Sequence, residues 1–287
     1  MFEIQRVAGD LETWVLRDTA SEAEVSVVPE RGAIVSRFRV GGREVLYLDP
    51  ATLVDRSKNV RGGIPLLFPI AGRLSGGQYR AGGTTYAMGQ HGFARNLPFE
   101  IVGTDTDGRA AITLSLGSSE ATRAVFPWEF EARITYALCG QGLSVELATR
   151  VKGPGTMPLH VGFHPYFLVH DADKGRAAIT TDATRAFDNT TGLNGPFTGF
   201  DLKQAEVDLH LLDHHARTVR LSVGDRTAVT LEMDEAFSTL VVWTLAGKDF
   251  VCVEPWTAPG DALNTGERLV HVGVGGTHLA RFRILAG

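Results

Sequence analysis

Cysteine is nearly absent from this 287-residue chain, which holds only Cys139 and Cys252. Neither lies in a CxxC pattern, which argues against a disulfide framework and against a thiolate zinc site. Lysine is scarce too, and arginine greatly outnumbers it. The net charge is −5, with acidic and basic residues mixed along the chain, so no basic patch is offered to nucleic acid. No apolar run reaches the roughly 18 residues that suggest a membrane span. The first residues (MFEIQRVAGDLETW) carry charges where a secretion signal needs an apolar core. These absences predict a cytoplasmic protein with neither nucleic acid nor membrane as partner. Also missing are internal repeats, low-complexity stretches, an obvious linker, and the GxxxxGK[ST] spacing of a phosphate-cradling loop. Residues 1–287 therefore read as a single domain, a length that all-β folds often reach as one unit.

What is present is mostly strand. Trp128, Phe130, Ala132, Ile134, Tyr136 and Leu138 alternate with polar neighbours, and Leu143, Val145 and Leu147 continue the pattern after a Cys139–Gly142 turn. Such alternation gives each strand one buried and one wetter face, as antiparallel sheets require. Gly41-Gly42 marks a hairpin between Ile34–Val40 and a return strand at Val45–Leu48, and Gly76-Gly77 and Gly82-Gly83 bound another. Leu53–Asn59 and Asp171–Gln204 read as loop. Ser118–Val125 is the one stretch expected to form helical turns, before Pro127. The expected class is all-β.

Four stretches carry chemistry. Phe250–Trp256 (FVCVEPW) is a short apolar strand running into Glu254, with Pro255 holding the residue before it extended and Trp256 beside it. A carboxylate at such a strand rim is either a surface group or a partly desolvated base. Cys252, in the same apolar run, reads as core and not as a nucleophile. Met157–Val169 (MPLHVGFHPYFLV) holds His160 and His164. A helix would give them metal-ligand spacing, but Pro158 and Pro165 oppose a helix; a strand would place both rings on one face. His164 precedes a proline as Glu254 does, which makes two candidate acid/base groups on stiffened backbone. Arg61–Leu74 (RGGIPLLFPIAGRL) is apolar yet rich in glycine and proline, hence irregular backbone bracketed by Arg61 and Arg73. Those arginines are either solvated or beside a site. Finally, His91 sits in Gly89–Asn96 (GQHGFARN), where a glycine lets the chain bend closely round a ligand.

Taken in order, RGGIPLLFP from Arg61, QHGFARN from Gln90, FPWEF from Phe126, GFHPYF from Gly162 and CVEPWTAPGDALNTGE from Cys252 resemble the aldose 1-epimerases, or mutarotases, near the branch that merges with the hexose-6-phosphate mutarotases. The resemblance covers nearly the whole chain. It implies a galactose mutarotase-like β-supersandwich of large antiparallel sheets with an open sugar cleft. It implies Glu254 as catalytic base and His164 as general acid. Arg61, Gln90 and Arg95 would contact sugar or phosphate, and His91 and Arg73 match the galactose branch. Asp208 would hold sugar hydroxyls, with Asp201 and Asp213 as alternatives. Acid/base ring opening of this kind needs neither metal nor organic cofactor. The expected partner is a small-molecule sugar or sugar phosphate, acted on by a monomer or homodimer. The IAGR run tilts the expectation toward a free hexose; convergence of Arg61 and Arg95 would favour a 6-phosphate. A non-catalytic sugar-binding protein on the same scaffold is the reading from another class, and a two-carboxylate glycosidase ranks last.

Overall fold

The alternating stretches pair as the sequence expects: every ladder between strands among the described residues is antiparallel. The computed structural model describes residues 1–287, except the side chain of Thr227. Three sheets dominate. The first joins Phe2–Val7, Thr13–Asp18, Ala23–Val28, Ile34–Val40 and Arg43–Glu44 in chain order. An eight-stranded outer sheet runs from Ala177–Ile179 through Thr218–Val223, Arg226–Met233, Thr277–Ala286, Gly142–Val151, Phe130–Cys139 and Ala110–Gly117 to Glu100–Asp105. A second eight-stranded sheet, the cleft sheet, follows a path of seven strands, Leu193–Pro196, Arg185–Asp188, Glu206–Leu211, Thr239–Leu245, Phe250–Trp256, Gly162–Phe163 and Leu66–Leu67. Tyr166–Leu168 also pairs with Phe250–Trp256.

One large core unites the sheets. Leu16, Val25 and Phe38 from the first sheet, Ile134, Leu147 and Ile284 from the outer sheet, and Val242, Val251 and Val253 from the cleft sheet share it. Phe163 belongs to this core and packs against Phe282 at 4.8 Å and Phe237 at 6.3 Å between ring centroids. It is the residue before His164, so the same backbone that fills the core aims the imidazole. Truncating a fully buried phenylalanine costs about 3–5 kcal/mol, and here it would also loosen that aim.

Several local expectations need correction. Val45–Leu48 does not return as a hairpin strand. Only Arg43–Glu44 pairs there, and Leu46 and Leu48 form isolated bridges to Phe167 and Gly62. Pro50–Val54 is a short helix whose N-cap is Asp49, and it takes in Leu53 and Val54 at the start of the stretch expected as loop; Ala262–Thr265 is another. Asp171–Gln204 contains three short strands, too brief and too polar to alternate visibly. The helical turn at Glu120–Val125 is present and closed by a Ser119–Thr122 capping box. No helix among the described residues is long and apolar enough to cross a membrane.

Candidate active site

Strand periodicity builds the site. Side chains on Phe250–Trp256 alternate between two faces: Val251 and Val253 enter the main core, so Glu254 and Trp256 face the other way. On the neighbouring strand Val242 is core while Val241 and Trp243 face the cleft, and on the next Glu206, Asp208 and His210 do. The register aligns these positions. Asn194 opposes Phe187, Phe187 opposes His210, His210 opposes Val241, and Val241 opposes Glu254. This row crosses five strands and lines one cleft of about 680 Å³ from end to end.

Glu254 is not at a strand rim, as its sequence context suggests. The strand continues through Pro255 to Trp256, and Glu254 is only 1 % exposed. A proline is tolerated there because the partner strand is interrupted. Gly162 pairs with Trp256 and Tyr166 with Cys252, and the residues between them, His164 and Pro165, form the break. His164 sits in that break and places Nε2 3.2 Å from Glu254 Oε1. Its ring stacks on Tyr166 at 4.6 Å. The second carboxylate oxygen of Glu254 accepts a hydrogen bond from Trp256 Nε1 at 3.1 Å.

Burial sets the protonation of this pair. It pushes the Glu254 carboxyl well above its usual range, the nearby Asp208 carboxylate adds to that, and the Trp256 hydrogen bond opposes it. Burial pushes His164 down to about 3, with the guanidiniums of Arg95 and Arg61 acting in the same direction. Two groups in contact titrate as one unit, so the pair holds a single proton over the intervening range. Asp208 acts on both members of the pair, raising Glu254 and opposing the two arginines at His164.

His91 is held in the left-handed region at φ 65°. Its N–H donates to Gly72 O at 2.8 Å, and its Nδ1 accepts from Gly72 N at 2.9 Å. Acceptance at Nδ1 leaves the proton on Nε2, and burial keeps the ring neutral. His91 is therefore a fixed donor, edge-on to both His164 and Trp256. The following Gly92 (φ 67°) lies so close to Phe68 that a Cβ would meet its carbonyl oxygen at 2.2 Å. Arg95 donates to Gln90 O at 2.9 Å, and Arg61 lies over the Trp243 ring with 5.3 Å to its centroid. Asp208 accepts from Asn189 Nδ2 at 2.7 Å and contacts His210 Nε2 at 3.3 Å.

All eight residues expected from the sequence, Arg61, Arg73, Gln90, His91, Arg95, His164, Asp208 and Glu254, line this one cleft. The two alternative aspartates do not. Asp213 is committed to the backbone and hydroxyl of Thr184 and to Arg185 N, and Asp201 is exposed outside the cleft. Sequence reasoning missed Phe187, Asn189, Asn194, Glu206, His210 and Trp243. The period-2 pattern of Glu206-Val207-Asp208-Leu209-His210 would have found two of them. His160 and His164 do not share a face: strand pairing breaks between Leu159 and Gly162, and His160 is fully buried and outside the cleft lining. The donor set close enough for a metal is instead His164, Cys252 and Glu254, whose ligand atoms lie within 4.8 Å of one another. Burial pushes the Cys252 thiol well up, so an ion there would have to displace its proton as well as the one the pair holds.

A family model described as aldose 1-epimerase matches residues 14–276. A Salmonella typhimurium protein named "Putative glucose-6-phosphate 1-epimerase" is 31% identical over 151 residues, which is 52% of this chain and 47% of that protein. An Escherichia coli K12 protein of the same name is 30% identical over 155 residues, 53% of this chain and 48% of its own length. The chain thus spans about half the length of these curated relatives. The solved structure of the Slr1438 protein from Synechocystis sp. PCC 6803 superposes with a TM-score of 0.92 at 36% identity, covering 97% of this chain and 98% of the other.

Proposed function

Because the chain belongs to the aldose 1-epimerase family, we propose that it interconverts the α and β anomers of a hexose, with a hexose 6-phosphate as the preferred substrate. The observation that carries the reaction is the buried contact between His164 and Glu254. Anomer exchange needs a proton removed from the C1 hydroxyl and one delivered to the ring oxygen. Both oxygens are bonded to C1, so two groups in mutual contact can address them together. Glu254, as carboxylate, takes the hydroxyl proton while His164, as imidazolium, gives its proton to the ring oxygen. The bond from C1 to the ring oxygen breaks and an aldehyde forms. Rotation about C1–C2 presents the other face of the aldehyde. The ring oxygen then attacks C1, its proton returns to His164, and Glu254 reprotonates the carbonyl oxygen. A positioned general acid or base contributes on the order of 10²–10⁴-fold in such reactions. His91 Nε2–H and the Asp208–Asn189 pair are the groups proposed to hold the remaining hydroxyls.

The 6-phosphate preference rests on where the cations are. Arg61 and Arg95 press on His164, the group addressed to the ring oxygen. In a hexopyranose that oxygen is bonded to C5, which carries C6, so a 6-phosphate lies toward the acid. Neither arginine has a carboxylate partner among the described residues, and Arg95 Nε is buried without any hydrogen-bond partner. A dianion beside two guanidiniums that lack carboxylate partners offsets the charge of both. It also offsets the charge that keeps His164 neutral and so favours the imidazolium that the mechanism needs. Arg73, the arginine of the IAGR run, adds a third cation without a carboxylate partner, which moves the reading from the free hexose toward the phosphate. NMR exchange between the anomers of glucose 6-phosphate, glucose and galactose tests this. The expected result is a kcat/KM at least about tenfold higher for the 6-phosphate. Faster exchange of a neutral sugar would replace the substrate; no acceleration of any sugar would favour a non-catalytic sugar-binding protein.

A further inference from the structure

Arg31 takes no part in the cleft, yet it is one of the most deeply buried charges in the chain, at 2 % exposure. No carboxylate pairs with it among the described residues. Instead its Nη2 donates toward three backbone carbonyls of one loop: Thr52 O at 3.2 Å, Asp55 O at 3.4 Å and Lys58 O at 2.9 Å. The neighbouring Glu30 grips the same loop through Arg56. Three carbonyls around a guanidinium act as a gathering point that closes the loop on itself, and a buried cation is left there only if such acceptors replace water.

That loop ends in the cleft. Asn59, Val60 and Arg61 line it, and the Arg61 backbone is fastened at both of its polar groups. Arg61 N donates to Thr52 Oγ1 at 2.9 Å, and Arg61 O accepts from Asp49 N at 2.8 Å. Thr52 is thus bonded to Arg31 through its carbonyl and to Arg61 through its hydroxyl. The same short segment also meets the turn that carries Arg95. Gly32 N donates to Leu97 O at 3.0 Å, Phe99 N donates to Pro29 O at 3.1 Å, and a Cβ on Gly32 would lie 2.4 Å from Arg95 Cα. Residues 29–32 are therefore in contact with both arginine-bearing segments, one through the Arg31 side chain and one through backbone.

We propose that Arg31 is a positioning residue which, through Thr52, sets the place of Arg61 relative to Arg95 and thereby the affinity for an anionic group on the substrate. The proposal rests on the reading of the cleft as a phosphosugar site, but inorganic phosphate binding tests it independently of turnover. Arg31 touches neither the acid/base pair nor the sugar ring, so its loss is felt in binding: KM and the phosphate Kd rise while kcat stays.

The test uses Arg31→Lys and, as a milder change that leaves the Arg31 carbonyl contacts in place, Thr52→Val, each alone and in an Arg61→Ala background. Inorganic phosphate binding is measured by calorimetry and anomer exchange of glucose 6-phosphate by NMR. The expected result is a rise of about tenfold in KM and in the phosphate Kd for Arg31→Lys or Thr52→Val, with kcat within about twofold. In the Arg61→Ala background the same substitutions should change Kd by less than about twofold, since residues that act through one partner are not additive. An equal loss in both backgrounds, or a fall of kcat in step with thermal stability, would overturn it as a merely structural effect. Wild type that binds phosphate but exchanges no anomers would overturn the proposed reaction and leave the phosphate arm to decide the role of Arg31.

Discussion

His164 Nε2 and Glu254 Oε1 lie 3.2 Å apart, and each residue is followed in the chain by a proline. The two prolines occupy the same gap in strand pairing, Pro165 by making it and Pro255 by falling opposite it. The contact is therefore built into the backbone and does not depend on a flexible loop.

Replacing Glu254 by glutamine keeps the shape and removes the base. We expect kcat to fall about 10²–10⁴-fold. Because burial already disfavours the ionised carboxylate, the melting temperature should hold or rise. Near-normal turnover in Glu254→Gln would remove Glu254 from the reaction. His164→Ala should lose activity to a similar extent.

The pH profile follows from the pair. Activity requires one proton shared between His164 and Glu254. On the acid side the pair gains a second proton, and because His164 is pushed down to about 3 this limb lies well below the usual imidazole value of about 6.5. On the basic side the single proton is lost, and because the Glu254 carboxyl is pushed up this limb lies above the usual carboxylate range. A kcat/KM profile measured with a neutral aldose, which keeps the phosphate's own titration out of the data, should stay flat through about pH 6.5. An acid limb centred there would mean that the catalytic imidazole is solvated and unpaired.

His160 predicts a stability effect with no kinetic counterpart. It is fully buried, neither ring nitrogen has a hydrogen-bond partner, and burial pushes it down to about 4. The unfolded chain binds a proton at this residue below about pH 6.5 and the folded chain does not until about 4, so stability falls as pH drops through that window. The ceiling of the effect is roughly 3–4 kcal/mol, at about 1.4 kcal/mol per pH unit across that window. His160→Leu should therefore gain stability relative to wild type in urea titrations near pH 4.5, by more than it does near neutrality. An equal difference at both pH values would contradict this.

Gly92→Ala should be severe for so small a change. A Cβ would meet Phe68 O at 2.2 Å and sit at a φ of 67°. Destabilisation of roughly 2–4 kcal/mol is expected in a denaturant titration, with a loss of activity beyond it because the turn that fixes His91 must shift. A variant as stable and active as wild type would show that the turn can relax without cost.

The antiparallel sheets were readable because residues such as Phe130 to Leu138 alternate without interruption, and a pleat turns that pattern directly into an inside and an outside. Arg185–Asp188 and Leu193–Pro196 were not readable: too short for a period to show, the first is a strand because Glu206–Leu211 offers it an edge, and the second because the first does. The acid/base pair stood out because carboxylate and imidazole each precede a proline in an apolar run. The misplacement of Glu254 at a strand rim came from treating Pro255 as a stop, when the opposing break at His164–Pro165 lets the strand continue. Phe187 and Asn194 were invisible for another reason. They earn their place by register, Phe187 with His210 and Asn194 with Phe187, and register is a property of the assembled sheet.

The row from Asn194 through Phe187, His210 and Val241 to Glu254 has an evolutionary consequence. From Phe187 to Glu254 its members alternate along each strand with residues that hold the core, so substrate choice and folding are encoded in interleaved letters of the same words. Selection can rewrite the odd letters at Asn194, Phe187 or His210 to suit a different sugar while the even ones go on specifying the sheet. A single inserted residue in any of these strands would do the reverse, exchanging the two messages and spoiling both.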